Sequence, residues 1–290
     1  LNNLKTYFSK PQNIITIVFA IVLLVGVIFP LATMVLDSFK VQSLTEAKTM
    51  NDSWNLSLKK GDYTWALWPY VLFNPRRMDV SATLFWVPLY QSLLMALLAC
   101  FIAVVIGGAL AFFVTRTNLP FKKFISTVFV FPYIMPSWSI AMFWENFFKN
   151  TAVDLSLNQM GLLQSLTGIQ VPSSMIYGLV PCAIVLGIHY APFAYILMGG
   201  ILRNMDANLE EAATILKTKR IRTLFRITLP IVAPALISTV LLVFSSSVSS
   251  YTVPAFLGGN FNAISVQMRS MLNSTESKGQ GYVVAVILLI

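Results

Sequence analysis

Residues 210–234 read EEAATILKTKRIRTLFRITLPIVAP and separate two long apolar runs, at residues 175–202 and 229–248. An apolar run of about 20 residues is long enough to cross the roughly 30 Å hydrocarbon core of a bilayer. Inside a bilayer the backbone finds hydrogen-bond partners only within helices or closed barrels. The basic stretch is therefore predicted to be a loop between two membrane-spanning helices.

Composition places the whole chain in the same class. Hydrophobic residues make up 57% of the 290 positions, charged residues only 11%, and mean hydropathy is +0.74. Soluble domains carry about 25% charged residues, so an ordinary soluble protein is excluded. Cys100 and Cys182 lie in apolar runs without metal-ligand spacing and are predicted to be buried hydrophobes, with no metal site. Five runs are long enough to span: 14–36, 88–114, 124–144, 175–202 and 229–248, and a sixth begins at Tyr282.

The distribution of positive charge predicts the orientation. With the N-terminus inside, residues 1–13, 115–123 and 203–228 are cytoplasmic and hold 11 Lys/Arg against three acids. The longer external segments, 37–87, 145–174 and 249–281, hold nine Lys/Arg against eight acids. The positive-inside rule therefore favours a cytoplasmic N-terminus. The net charge of +9 is interpreted as a topology signal, and a nucleic-acid partner is not expected.

The basic loop has the pattern of a docking helix. Asp206 can cap a helix start, and Glu210 and Glu211 then lie in its first turns, where the helix dipole favours acids. One apolar face is formed by Leu209, Ala212, Ala213 and Leu216. Such a thin face suits a groove on a partner protein, but a helix lying on the anionic inner leaflet fits equally well. Physical reasoning alone leaves these two interpretations open.

The spacing within this loop resembles a family signature. Glu211-Ala212-Ala213, followed by Ile227-x-Leu229-Pro230, is similar to E-A-A-x-x-x-G-x(9)-I-x-L-P, the EAA loop of binding-protein-dependent ABC importer permeases. Lys217 stands where the family usually has Gly. The resemblance implies an all-α membrane fold of the type I, MetI-like kind with about six transmembrane helices. By the same resemblance, an ATPase docks on Asp206, Leu209, Glu210, Glu211, Ala212, Ala213, Leu216, Lys217, Ile227, Leu229 and Pro230.

The resemblance also implies partners and a location. A multi-pass protein of the bacterial cytoplasmic membrane would work with a cytoplasmic ATPase dimer and an extracellular or periplasmic solute-binding protein. It would also need a second permease half, which is homologous, identical or fused. The chain itself would bind no cofactor, since ATP and Mg²⁺ belong to the ATPase. Ferric iron is the first expectation for the solute, and polyamines, phosphonates or other phosphorylated small molecules, and thiamine are the alternatives.

The absence of an energy source in the chain agrees with an external motor. No phosphate-binding G-x-x-x-x-G-K-[ST] loop is present, and the five complete spans contain no Asp, Glu, Lys or Arg. An ion-coupled carrier or channel is the alternative, while no residue constellation supports an intramembrane enzyme. Residues 1–36 are predicted as the N-terminal segment with the first span, 37–87 as an external cap, and 88–290 as the permease core with the loop at 203–230. A chain that begins at Leu1 and ends in an apolar run is expected to be part of a longer protein.

Polar residues in the spans suggest where a solute passes. His189 is either hydrogen-bonded across helices or part of a translocation pathway, and the serines of residues 245–250 either permit close packing or line that pathway. The pathway candidates are His189, Tyr190, Ser246, Ser249, Ser250 and Tyr251. Prolines are expected to start or interrupt helices. Pro88 and Pro230 are assigned to helix starts, and Pro132, Pro136, Pro181 and Pro192 to breaks or kinks.

Overall fold

The computed structural model describes residues 11–73, 78–151, 160–206, 213, 215 and 218–289, and its regular structure is helical. Within these residues the one β pairing is an isolated bridge between Lys40 and Tyr63. The helices used below are α1 (Pro11–Asp37), α2 (Leu44–Trp54), α3 (Leu67–Phe73), α4 (Ala82–Arg116), α5 (Lys122–Ile134), α6 (Ser137–Phe148), α7 (Leu179–Asn204), α8 (Leu224–Val248), α9 (Thr252–Leu257), α10 (Ile264–Asn273) and α11 (Lys278–Leu289).

Among the described residues, four helical segments are long and apolar enough to cross a membrane, and they match four predicted spans. They are α1, α4, α8 and the segment Ser173–Asn204 that contains α7. The third predicted span consists of two helices, α5 and α6, which meet at an angle of 100°. The all-helical membrane fold is thus confirmed. Because α11 has only 12 residues, the sixth span remains a prediction.

Three prolines are accommodated by π-helical turns that the sequence analysis did not predict. The turns Leu24–Ile28, Ala82–Trp86 and Leu224–Thr228 each end two residues before a proline, Pro30, Pro88 and Pro230. In each turn the residue just before the proline donates its N–H five residues back, for example Leu229 to the Leu224 carbonyl. Such local π adjustments let a helix continue past a residue that has no N–H.

These turns correct two expectations. Helical backbone already runs from Met78 into Val87, so Pro88 does not begin a helix. Likewise, Arg220–Thr223, Leu224–Thr228 and Leu229–Val248 follow one another directly, so Pro230 lies inside a longer helix. The physical reason is the same in both cases: a π turn spaces the carbonyls so that the missing proline N–H does not stop the helix.

The chain divides into two compact units, residues 1–87 with 267–290, and residues 88–266. In the first unit α11 packs on the second half of α1 and on α3. Val283, Val284 and Val286 of α11 and Leu67 and Val71 of α3 are buried there. The predicted boundaries at residues 36, 87 and 203–230 remain predictions.

A buried carboxylate joins α2 to α11 in this first unit. Ser43 caps α2 by accepting the Glu46 N–H at 3.0 Å, while the Glu46 carboxylate accepts the Gln42 N–H at 2.8 Å. The same carboxylate accepts the Gln280 N–H at 3.1 Å and so caps the N-terminus of α11, where a negative charge is favourable. A Cβ on Gly279 would lie 2.8 Å from both Glu46 carboxylate oxygens, so only glycine allows this approach.

Burial raises the pKa of Glu46, although the backbone N–H donors that surround it partly oppose the effect. The native state therefore binds a proton more tightly than the unfolded state, whose carboxyl titrates near 4.5. Stability from this linkage is present at and below the unfolded pKa and is lost as pH rises through the folded pKa. We expect hydrogen-exchange protection at the start of α11, corrected for intrinsic exchange, to increase on acidification towards that range.

The matched variants are Glu46→Gln and Glu276→Gln, since Glu276 is an exposed carboxylate in the same unit. Glu46→Gln is expected to remove this pH dependence, because its side chain does not titrate, and Glu276→Gln is expected to retain it. The assignment is wrong if protection at α11 varies with pH equally in the wild type and in Glu46→Gln.

The second unit is organised around α7, which packs against α5, α6, α8 and α9. Small residues bring α7 close to α4: a Cβ on Gly107 would overlap the Ala191 carbonyl oxygen and lie 2.6 Å from the Ala194 Cβ. A Cβ on Gly187 would lie 2.6 Å from a side-chain carbon of Ile102. Such close approach is the usual way in which membrane helices gain packing energy. It fixes the position of the α7 side chains that face the site described next.

Candidate functional site

The site lies where the third predicted span breaks. Met135, the residue before Pro136, has extended backbone angles (φ −72°, ψ 141°), as expected for a residue that precedes proline. Pro136 then caps α6, which leaves at 100° to α5. The predicted break at Pro136 is confirmed. By contrast, α5 continues through Pro132, and α7 runs through Pro181 and Pro192 without interruption.

His189 compensates for a hydrogen bond that Pro136 removes. In a continuing helix the Pro132 carbonyl would accept the N–H of residue 136, but proline has none. Instead, Nδ1 of His189 on α7 lies 2.8 Å from the Pro132 carbonyl oxygen. Because a carbonyl oxygen only accepts, Nδ1 carries the proton, and in the neutral ring Nε2 is left as an acceptor. His189 therefore has a structural role between helices.

The same histidine lines a cavity of about 500 Å³. The cavity is open on one side and is bordered by the end of α5, the break, the start of α6, and the facing sides of α7 and α8. Its lining residues are Tyr133, Ile134, Met135, Pro136, Ser137, His189, Tyr190, Phe193, Leu242 and Ser246. None of them carries a formal charge when the histidine is neutral. The cavity lies wholly within the second unit.

Aromatic rings and hydroxyl groups give the cavity its chemical character. The rings of Tyr133 and Phe193 meet edge to face with centroids 4.4 Å apart, and those of His189 and Tyr190 are 4.8 Å apart. Tyr190 on α7 and Ser246 on α8 add their hydroxyl-bearing side chains to the lining. The Ser137 hydroxyl is 2.8 Å from that of Thr252 on α9. The lining offers π faces and neutral oxygen and nitrogen acceptors, which suit a cation or a polyhydroxyl solute.

Three of the six predicted pathway residues reach this cavity: His189, Tyr190 and Ser246. The other three lie at the end of α8 and do not line it. The Ser249 hydroxyl donates to the Ser245 carbonyl, the Ser250 carbonyl accepts the Ser265 hydroxyl at 2.7 Å, and Tyr251 precedes α9. These contacts terminate a helix, which is the common role of serine at such positions.

The remaining lining residues were missed, although helical spacing identifies two of them. Phe193 lies four residues after His189 on α7, and Leu242 lies four residues before Ser246 on α8, so each shares a face with a predicted residue. Tyr133 and Ser137 flank the break at Pro136. A break in the middle of a span exposes flanking residues that a continuous helix would bury. No local sequence pattern indicates which neighbouring helix these residues face.

The predicted docking loop is described only in part. Leu209, Glu210, Glu211, Ala212, Leu216 and Lys217 lie outside the described residues. Asp206 is exposed just after α7 ends, and Ala213 is buried. Thr218 donates its backbone N–H and its hydroxyl to the Ala213 carbonyl, at 3.1 and 2.5 Å. Ile227 lies in the π turn, and Leu229 and Pro230 follow it in α8.

Residues 103–290 match the family described as binding-protein-dependent transport system inner membrane component. The chain belongs to this family. It is therefore an inner-membrane component of a binding-protein-dependent transport system, called the permease below, and the cavity lies within the matched region. The matched region begins within α4 and includes α5, α6, α7 and α8, the helices that form the cavity.

The relatives of this permease carry different solutes. A ferric transport system permease protein, FbpB of Actinobacillus pleuropneumoniae, is 27% identical over 172 residues, which are 58% of the chain and 23% of that protein. The spermidine/putrescine transport system permease protein PotB of Escherichia coli is 27% identical over 187 residues, 62% of the chain and 64% of PotB. The chain thus spans about a quarter of the length of the ferric transport relatives it matches.

A solved structure supports the fold. The crystal structure of a bacterial ABC transporter that imports the acidic polysaccharide alginate matches with a TM-score of 0.56 over 97% of this permease and 94% of that chain. Sequence identity is 16%, so the likeness concerns the fold alone.

Substitutions of His189 test its hydrogen bond to the Pro132 carbonyl. His189→Phe leaves the partly buried Pro132 carbonyl without this donor, which typically costs up to about 1–3 kcal/mol of stability. His189→Gln can still donate to that carbonyl and is expected to recover part of the loss, while Tyr190→Phe should change stability by less than either. Thermal unfolding of the purified permease measures the order. Equal stability of His189→Phe and His189→Gln would contradict the assigned hydrogen bond.

Proposed function

We propose that this permease passes a small cationic solute through the cavity at the α5–α6 break and that a separate ATPase drives transport. The observation that carries this proposal is the cavity itself. It is an uncharged pocket, lined by aromatic rings and hydroxyls, that four helices form at a break in a membrane span. In a protein of this family, such a pocket offers a solute a place to pause at membrane depth. His189, Tyr190 and Ser246 are proposed to line the path, with Tyr133 and Ser137.

The ATPase is proposed to dock on the loop between α7 and α8. The EAA spacing at Glu211, Ala212 and Ala213 supports this assignment, as does the missing phosphate-binding loop in the chain itself. This loop joins α7 and α8, which border the cavity on one side. A push on it would therefore be transmitted to α7 and α8 and would alter the cavity, as alternating access requires. A binding protein is proposed to deliver the solute from outside.

Docking is tested by replacing one acidic and one apolar residue of the loop with bulky basic residues. Glu211→Arg/Ala212→Arg is expected to abolish co-purification of the ATPase, because it removes the acidic residue and fills the thin helix face. The matched control is Thr275→Arg/Glu276→Arg, which makes the same change of charge in a predicted external segment and should retain the ATPase. Loss of the ATPase in both variants, or in neither, would contradict docking at this loop.

A separate experiment tests whether transport is driven by ATP or by an ion gradient. An ion-coupled carrier would transport without nucleotide. The proposal fails if the permease with its second half, but without ATPase, accumulates solute in liposomes in response to an ion gradient.

Ferric iron is the proposed solute, and a polyamine is the second candidate because relatives of both kinds resemble the chain. Phenol, imidazole and hydroxyl groups can all contact either cation. In liposomes that contain the complete importer, we expect ATP-dependent uptake of ⁵⁵Fe³⁺ that excess spermidine does not inhibit. Uptake of labelled spermidine instead would replace iron with the polyamine.

The contribution of the cavity is tested with Tyr133→Phe. Loss of one hydrogen bond to a charged solute typically corresponds to about a tenfold to hundredfold loss of affinity. Tyr90→Phe is the matched control, because Tyr90 is 67% exposed on α4 and does not line the cavity. A fall in uptake that is equal for the two variants would contradict a solute site at the break.

A further inference from the structure

A second cavity lies at the beginning of α5, away from the break. It measures about 560 Å³ and is lined by three basic side chains, Lys122, Lys123 and Arg203, together with the hydroxyls of Thr115, Ser126 and Thr127 and the side chain of Val114. Among the residues that the structure describes, no acidic side chain lines it. Lys122 and Lys123 begin α5, while Arg203 lies in the last turn of α7. The described part of the pocket therefore concentrates positive charge between two membrane helices.

An apolar groove continues from this basic pocket. The groove has a volume of about 650 Å³ and shares Ser126, Thr127 and Arg203 with the pocket. The rest of its lining is Val130, Phe131, Ile134, Tyr195, Ile196, Gly199 and Gly200. One end of the combined site is thus cationic and the other is hydrocarbon-like. An amphipathic ligand with a negative head and an apolar tail has the complementary pattern.

Local hydrogen bonds fix the shape of this site. The Tyr195 hydroxyl, on α7, donates to the Ser126 hydroxyl on α5 at 2.7 Å, and Ser126 donates to the Lys122 carbonyl at 2.6 Å. Thr127 donates to the Lys123 carbonyl at 3.0 Å. The groove stays open at Gly200, where an added Cβ would meet no atom within 4 Å. Helices α5 and α7 therefore leave the groove between them open, and no side chain fills it at Gly200.

We propose that the site binds an anionic phospholipid, with its phosphate among Lys122, Lys123 and Arg203 and an acyl chain in the groove. The orientation predicted from the charge distribution places this end of α5 at the cytoplasmic leaflet, where anionic lipids attract basic residues. Basic pockets between membrane helices on that side are suited to lipid head groups. Phe121 and Phe124, beside the lysines, are 82% and 70% exposed and fit the lipid interface.

The solute proposed above does not fit the same site, and this step rests on the proposed function. A cation in the basic pocket would meet three positive charges and, within the described lining, no acid, which is unfavourable. A soluble phosphate matches the charges but leaves the apolar groove unused. A second permease half could also cover the groove. The experiment below separates these occupants.

Native mass spectrometry of the transporter complex, purified with its own subunits, measures the lipids that remain bound. Equal amounts of phosphatidylglycerol and phosphatidylcholine are offered, and we expect phosphatidylglycerol to be retained preferentially. Lys122→Gln/Lys123→Gln should weaken phosphatidylglycerol binding about thirtyfold, given the usual contribution of a Lys beside an anionic surface. Lys59→Gln/Lys60→Gln is the matched control, because this adjacent, exposed pair lies in the predicted external cap. It should leave binding unchanged.

A second variant tests the groove without touching charge. Gly200→Leu fills open space, so it should fold normally and yet lose phosphatidylglycerol binding at least tenfold, while Gly200→Ala should bind nearly as the wild type. Four results would overturn the proposal: equal retention of the two lipids, competition by inorganic phosphate at millimolar concentration, unchanged binding in both test variants, or binding only when the second permease half is absent. Because lipid retention needs neither ATP nor solute, failure here is distinguishable from failure of the proposed transport function.

Discussion

The constraint on which the structure depends is the pairing of backbone groups where water is absent. Each proline in a membrane helix removes one N–H and leaves a carbonyl without its donor. At four of its prolines the chain meets this loss in one of two ways. Before Pro30, Pro88 and Pro230, a π turn re-spaces the hydrogen bonds and the helix continues. At Pro136 the helix breaks instead, and His189 on a neighbouring helix supplies the donor to Pro132.

The second solution explains why a cavity forms at this point in the permease. Since α5 ends at Ile134 and α6 departs at 100°, neither helix fills the space opposite α7 and α8. The side chain that compensates for the break therefore also faces the opening it creates. The two interpretations of His189, a cross-helix hydrogen bond and a pathway residue, do not compete. With Nδ1 committed to Pro132, only Nε2 is left to meet a solute, and in the neutral ring it meets it as an acceptor.

Sequence patterns predict those features that depend on neighbouring residues. The apolar runs predict five spans, of which four are continuous helices and the third is the bent pair α5–α6. Proline predicts the break at Pro136, but the helices continue through Pro132, Pro181 and Pro192. Helical spacing from His189 also leads to Phe193. What depends on distant pairing is not predictable in this way: the bond between Glu46 and the start of α11 joins residues 234 apart, and only the coordinates show why position 279 must be glycine. The π turns were missed because proline alone does not reveal whether a helix will stop or re-space.

The two ends of α5 carry opposite preferences for charge, and this bears on how a cation passes. Thirteen residues of helix separate the basic pocket from the cavity by about 20 Å, so each pair of unit charges repels by roughly 1 kcal/mol at an effective dielectric constant of about 20. Because the three basic side chains are exposed and lie beyond a screening length of about 10 Å, dissolved ions weaken this repulsion. A lipid phosphate held among them would cancel part of this repulsion. A bound lipid would therefore also affect transport, because its negative charge lowers the electrostatic barrier that Lys122, Lys123 and Arg203 would otherwise impose on the cation.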